Sequence, residues 1–265
     1  MSVNLEPRPA ATVMMVRDSS AGFEVLMLRR NLNSDFVGGA YVFPGGGVDA
    51  ADSTSTAEHR VEGLTDVHAS ARLGLDAGGL AYYVACLREL FEEAGLLVAH
   101  DDDGRRVRFD DPDVRARFST HRRAVNDRQV RFLDVVSEEN LRLDLSSLEY
   151  IAHWVTPVGP PRRYDTRFFA ALAPEAQRAA HDDGETVADL WVRPREALEL
   201  QRRGELEMIF PTIRNLEAIA DFDSASAVLQ YARGLTSIPR IEPRIVSRDG
   251  GIDILIPGDD GFSDN

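Results

Sequence analysis

Residues 80–96 read LAYYVACLRELFEEAGL, and the fold turns on this stretch. Leu80, Tyr83, Val84, Leu87, Leu90, Phe91 and Ala94 recur at helical spacing and predict an amphipathic helix over 80–94, with Gly95 placed to end it. At about 100° per residue from Glu89, Glu92 falls near 300° and Glu93 near 40°, while the apolar side chains centre around 160°. Three carboxylates therefore project together, away from the predicted core. Crowded anions repel, yet they suit a hard divalent cation that takes oxygen ligands. An ordinary solvated acidic face has the same pattern.

Upstream, residues 36–52 read FVGGAYVFPGGGVDAAD. Residues 41–43 predict a short strand before Pro44, and three successive glycines allow the backbone to approach its neighbours closely. Residues 11–17 and 24–30 predict strands separated by the turn signal DSSAG. Further strands are predicted at 148–156, 167–172, 186–192 and 252–256. Helices are predicted at 194–203 and 211–232, and one or two short ones across 112–142. These elements point to one mixed α/β domain over 1–265, with helical insertions at about 53–79 and 100–147.

The string Phe43-Pro44-Gly45-Gly46, followed by Arg88-Glu89-Leu90-Phe91-Glu92-Glu93-Ala94-Gly95-Leu96, resembles the Nudix hydrolase box. Its second half matches throughout; in the first half Asp52 stands where the family has Glu. Residues 53–87 number thirty-five where the family usually has seven. An insertion there resembles the branch of peroxisomal coenzyme A diphosphatases and their bacterial relatives, as do LRRNLNSDFVGGAYVFPGG, HWVTPVGPPRRYDTRFFAAL and ILIPGDDGF. Such an excursion must return to its starting point, so shortening 53–79 is expected to preserve the fold.

The resemblance implies an α/β/α sandwich around a mixed sheet and hydrolysis of a diphosphate with Mg²⁺ or Mn²⁺. It implies Glu92 and Glu93 as metal ligands, and Glu89 as a further ligand or as the group that takes the water's proton. Arg88 would hold these carboxylates in position, Gly45 would bring its loop to the substrate, and Gly46 would offer a carbonyl to the metal. Glu185, in HDDGET, stands where Nudix enzymes place another metal-binding or basic glutamate; a solvated turn carboxylate is the other reading. Coenzyme A or an acyl-coenzyme A is the leading substrate. ADP-ribose, NADH, a dinucleotide or a nucleotide sugar is the alternative, as is a non-catalytic nucleotide-sensing scaffold.

All thirty basic residues are Arg, against forty-four acidic ones, so the formal charge is 30 − 44 = −14. With no Lys, a Walker-type phosphate lysine and a Schiff-base lysine are excluded. The acidity argues against a nucleic-acid partner, and a polyanionic substrate then needs a local cationic patch. Arg30, Arg162, Arg163 and Arg167 are the candidates for the 3′-phosphate of coenzyme A. In the signature of the coenzyme A diphosphatase branch, Leu26, Arg30, Gly39 and Phe43 to Gly46 match in register. Leu28, Asn31 and Asp35 depart, with Asp35 at an Arg position. Arg106, Arg122 and Arg123 read as solvated insertion residues, Cys86 as packing and His153 as structural. No apolar run is long enough to span a bilayer, and the ends carry neither a signal-peptide pattern nor Ser-Lys-Leu. A cytoplasmic protein is expected, and a homodimer is left open.

Overall fold

A computed structural model describes residues 5–32, 38–53, 55–182, 184–248 and 251–262. The Asp35 departure lies outside these described residues. Residues 13–16 and 25–28 are apolar on both faces, as strands covered on two sides must be. They lie in β1 (Arg8–Ser19) and β2 (Gly22–Arg30), an antiparallel hairpin with Val16 opposite Val25 and Ser19 opposite Gly22. β3 (Tyr41–Val42) edges β2, and β4 (Gly45–Gly47) runs antiparallel to β1 with Gly46 opposite Ala11.

The first insertion holds α1 (Ser55–Arg60), β5 (Val61–Glu62) and α2 (Asp66–Leu73) before the box helix α3 (Gly79–Ala94). The second holds β6 (Ala99–Asp101), α4 (Pro112–Asn126), α5 (Phe132–Glu138) and β7 (Leu141–Asp144). A small sheet in the order β5-β7-β6 ties the two insertions together.

The chain then returns to the main sheet through β8 (Glu149–Val155), β9 (Tyr164–Leu172) and β10 (Thr186–Val192). Helices α6 (Pro194–Arg202), α7 (Phe210–Ile219) and α8 (Ala225–Gly234) follow, then β11 (Arg240–Ile241) and the hairpin β12 (Arg244–Arg248)–β13 (Gly251–Leu255). The single helix expected at 211–232 is broken between α7 and α8. There Ser224 caps α8 by accepting from the Ala227 N–H at 3.2 Å, and Asp18 accepts from Ala225 N–H at 2.8 Å.

The main sheet runs β10-β2-β1-β9-β8-β11, with β1 parallel to β9, β8 parallel to β11, and the other pairs antiparallel. Alternation along β9 sends Phe169 and Ala171 into the core under α3, and Phe168 and Ala170 into the core under α6–α8. The architecture is thus the expected α/β/α sandwich.

The first insertion is part of that core. Ala57, Ala69 and Leu73 are buried in the same cluster as Tyr83, Leu87 and Phe91. α3 also begins without a side-chain cap of its own. Its first N–H groups are taken instead by α2: Asp66 accepts from Gly78 at 3.0 Å and Leu80 at 2.9 Å, and Ser70 Oγ from Gly79 at 2.8 Å. Excision of 53–79 would therefore remove both a packed helix and the cap of α3, contrary to the expectation that shortening is harmless.

Candidate active site

Leu87, Leu90 and Phe91, all essentially inaccessible, fix α3 against the sheet and turn its other side toward β4 and the segment that follows it. The three carboxylates lie beneath the glycine strand rather than on an open solvated face. Arg88 is the hub. Its Nε and Nη2 donate to Asp52 at 2.9 and 3.1 Å, Nη2 also to the Gly47 carbonyl at 2.7 Å. Nη1 donates to Glu89 at 2.8 Å and to Glu92 at 3.3 Å. A planar guanidinium can serve such a divergent set of acceptors from one position. Both Arg88 and Asp52 are buried, so residues on either side of the first insertion meet in one network.

Glu93 is 3% exposed. One oxygen accepts the Gly45 N–H at 2.9 Å; the other is buried without a hydrogen-bond partner among the described residues. Gly45 and Gly46 are glycines for reasons of space. A Cβ on Gly45 would lie 2.4–2.6 Å from Thr12 and Ala11 atoms, and one on Gly46 would lie 2.4–2.8 Å from the Glu89 carboxylate. Glu89 therefore sits directly against the Gly46 backbone.

This burial alters the acids. The Glu89 carboxyl is pushed up to about 7, by burial first, with Arg88 opposing and Glu92 adding. Glu93 is driven well above the usual carboxylate range by burial, then by the charges of Glu89 and Glu185. Glu92 is raised by burial and held back by Arg88. Among the described residues no three acidic, His or Cys side chains already converge as a finished coordination sphere. The donors are nonetheless all oxygen, and an unpartnered buried carboxylate oxygen is a group that a hard divalent cation would satisfy.

A cleft of about 410 Å³ opens beside these residues, and Arg30, Gly45, Gly46, Glu89, Arg162 and Glu185 all line it. Glu185, immediately before β10, pairs with Arg30 at 2.8 Å across the cleft wall. Arg163 and Arg167 are elsewhere. Tyr164, Thr166 and Phe168 face the cleft, so the strand period of two points Arg163 and Arg167 to the other side. Arg163 is buried, bonded to the Thr156 and Leu5 carbonyls at 3.0 and 2.7 Å and paired with Glu242. Arg167 is buried too, paired with Asp165 and lying over the Tyr82 ring at 5.0 Å. The expected cluster of three arginines therefore reaches the cleft through Arg162 alone of the three.

Sequence reasoning missed two features. Arg122, expected to be a solvated insertion residue, is half-buried and donates through Nε to the Glu92 carbonyl at 2.9 Å, tying α4 to the box helix. Trp154 and Phe210 line the far end of the cleft, where the alternation of Trp154 and Thr156 was the available signal. His153, by contrast, is structural as expected, bonded to Asp165 at 2.7 Å, and Cys86 is wholly buried. A larger cavity, about 700 Å³, opens behind the C-terminal turn of α3, with Phe91, Phe118 and Arg122 in its wall.

A family model described as the NUDT19 Nudix domain matches residues 76–219, more than half of the chain. The acyl-coenzyme A diphosphatase NUDT19 of Gallus gallus is 28% identical over 284 residues, covering 92% of this chain and 74% of that protein. The Homo sapiens protein of the same name is 28% identical over 270 residues, covering 90% and 72%. The crystal structure of a NUDIX hydrolase from Alicyclobacillus acidocaldarius superposes with a TM-score of 0.68 at 29% identity, covering 86% of this chain and 97% of that one. Among the described residues no helix is long and apolar enough to cross a membrane.

Proposed function

Because this chain belongs to the Nudix hydrolases, in the family of the NUDT19 Nudix domain, it acts on diphosphate bonds, and we propose that its substrate is coenzyme A or an acyl-coenzyme A. Water would attack one phosphorus and the P–O–P bridge would break, leaving adenosine 3′,5′-bisphosphate and phosphopantetheine or its acyl thioester. The names of the vertebrate relatives support this substrate class. One structural observation supports the chemistry: Arg88 joins Asp52, Glu89, Glu92 and the Gly47 carbonyl beside a cleft that Glu89 itself lines.

Glu92, Glu93 and the Gly46 carbonyl would hold a divalent cation, Mg²⁺ or Mn²⁺, with Glu89 as a further ligand. Bound there, that cation supplies charge neutralisation for the diphosphate oxygens and acidity for an attacking water. Glu93 is the strongest donor candidate, since one oxygen is oriented by Gly45 and the other lacks a partner among the described residues. Glu89 is also suited to take a proton, because a carboxyl near neutrality can both accept and release one at working pH. Arg88 positions the set; burial disfavours its charge, but the Asp52 hydrogen bonds and the negative charges of Glu89, Asp52 and Glu92 outweigh that and keep it charged. Arg30 offers a cation at the cleft wall, with Glu185 either fixing its direction or contributing to the metal site.

A hydrolysis panel tests this reading. Coenzyme A, an acyl-coenzyme A, ADP-ribose, NADH and a dinucleotide would be incubated with Mg²⁺, with Mn²⁺ and with chelator. The coenzyme A compounds should be cleaved at the highest kcat/KM, and only with metal. A higher value for ADP-ribose or a dinucleotide would move the substrate to that class. No cleavage of any compound would favour a nucleotide-sensing scaffold, which the complete Arg-Glu-Glu-Glu set argues against.

A further inference from the structure

From the carboxylates the cleft runs across the sheet, over Thr12 on β1 and Thr166 on β9, to Trp154 on β8. Neighbouring strands lie about 4.8 Å apart, so the three steps from β2 to β8 span roughly 14 Å. That exceeds a diphosphate and leaves room for another part of the substrate. At the far end Trp154 is 6% exposed, and its Nε1–H is buried without a hydrogen-bond partner among the described residues. Phe210 meets its ring edge-on, with centroids 5.8 Å apart at 87°. Arg162 lines the same cleft from the turn before β9 and is exposed to solvent.

An indole N–H can only donate, and leaving it buried and unpaired is unfavourable. A hydrocarbon acyl chain offers it nothing, and the amide carbonyls of a pantetheine arm could accept from it but bring no flat face to the aromatic wall. A purine offers ring-nitrogen acceptors together with a flat apolar face for an aromatic wall. A guanidinium beside that wall suits a phosphate. Coenzyme A carries both groups at one end, adenine and the 3′-phosphate on its ribose. Arg30 faces the Glu185 carboxylate at the opposite end, and Arg163 and Arg167 point away from the cleft.

Resting on the coenzyme A reading, we infer that the substrate lies with its adenosine 3′-phosphate over β8 and β9. Trp154 Nε1 donates to an adenine ring nitrogen, Arg162 pairs with the 3′-phosphate, and the diphosphate lies toward Glu89. The pantetheine arm then leaves toward Arg30.

The chain has two tryptophans, Trp154 and Trp191, so W191F leaves Trp154 as the sole indole reporter. Its emission would be followed while titrating adenosine 3′,5′-bisphosphate, AMP and phosphopantetheine. Both nucleotides should shift the emission, the bisphosphate binding about ten- to a hundredfold more tightly than AMP. R162Q in the same background should bring the bisphosphate to the AMP level. Calorimetry on W154F should show both nucleotides weakened by a similar factor, with their ratio kept. A shift caused by phosphopantetheine and not by the nucleotides would reverse the proposed orientation and overturn it. Equal affinity for bisphosphate and AMP, or a preference that survives R162Q, would remove Arg162 from the 3′-phosphate. These readouts need no turnover. Nucleotide binding at Trp154 in a protein that cleaves no coenzyme A would sink the substrate reading and leave the adenosine placement standing.

Discussion

Asp52 and Arg88 form a buried two-point pair, Nε to Oδ1 at 2.9 Å and Nη2 to Oδ2 at 3.1 Å, across thirty-five intervening residues. With the Arg88 bond to the Gly47 carbonyl, this contact holds the glycine strand, the segment after it and the box helix at one site despite the long excursion between them. Removing one partner of a buried pair costs about 3–5 kcal/mol when the other charge is left wholly without compensation; Arg88 keeps Glu89 and Glu92, so the cost here should lie below that range. Asp52→Ala should therefore lower unfolding stability measurably, though by less than that amount, in urea titration and reduce kcat in the fraction that remains folded. Asp52→Glu, which restores the usual box residue, should recover much of both. An unchanged denaturation midpoint in Asp52→Ala would mean that Arg88 is held by its other partners.

Gly46→Ala separates activity from stability. The added methyl would enter the space of the Glu89 carboxylate, the movable end of a side chain, so the fold should tolerate it. The displaced Glu89 should not be tolerated by the chemistry. We expect kcat to fall at least about tenfold, corresponding to about 1.4 kcal/mol of transition-state stabilisation, with a melting temperature close to that of the parent. Equal loss of stability and activity would indicate that Gly46 is needed for the backbone alone.

The buried acids make metal-free stability depend on pH. Glu89 titrates near about 7 in the folded chain against 4.5 as an ordinary carboxyl, so the folded state keeps a proton that the unfolded chain releases. Its contribution is fully present below about 4.5 and is lost as pH rises through about 7. Carboxyls shifted downward, among them Glu139, Asp144, Asp165 and Asp182, act in the opposite sense and at lower pH. Without metal, stability should thus decline between pH 5 and 7, and Glu89→Gln should flatten that decline. Added Mg²⁺ should stabilise more at pH 8 than at pH 5.5, because protons compete for the same oxygens. Calorimetric scans across this range would show it, and identical slopes in parent and variant would contradict it.

The cap that α2 provides for α3 carries a fourth prediction. Asp66→Ala removes the acceptor for the Gly78 and Leu80 N–H groups and should cost about 1–2 kcal/mol. Residues 53–79 replaced by a short linker should give a far less stable protein, seen by hydrogen exchange as early opening of α3. A linker variant that melts with the parent would restore the view that this segment is dispensable.

The sequence made the hairpin and the box helix legible because apolar patterning records burial directly, as in Val25–Leu28 and Leu87–Phe91; the α/β/α layering came from the resemblance to the Nudix box. It showed Asp52 and Arg88 as box positions but not as partners, since their meeting depends on where the chain returns after the insertion. Residues 53–79 read as loosely patterned because their role rests on a few contacts, Ala69, Leu73 and the Asp66 and Ser70 acceptors. The arginine cluster at 162–167 looked uniform in composition. The fold divides it: Arg162 lines the cleft from the turn before β9, while Arg163 and Arg167 are buried away from it.

The most direct measurement of the central claim is steady-state hydrolysis of coenzyme A by the parent and by Glu93→Gln at saturating Mg²⁺, with products resolved by chromatography. Glutamine keeps the size and the acceptor for Gly45 N–H but removes the charge, so the variant should fold with equal or greater metal-free stability. The account predicts adenosine 3′,5′-bisphosphate and phosphopantetheine from the parent, and a kcat lower by at least about a hundredfold in the variant, or about 2.7 kcal/mol. Turnover by Glu93→Gln at the parent rate would contradict it.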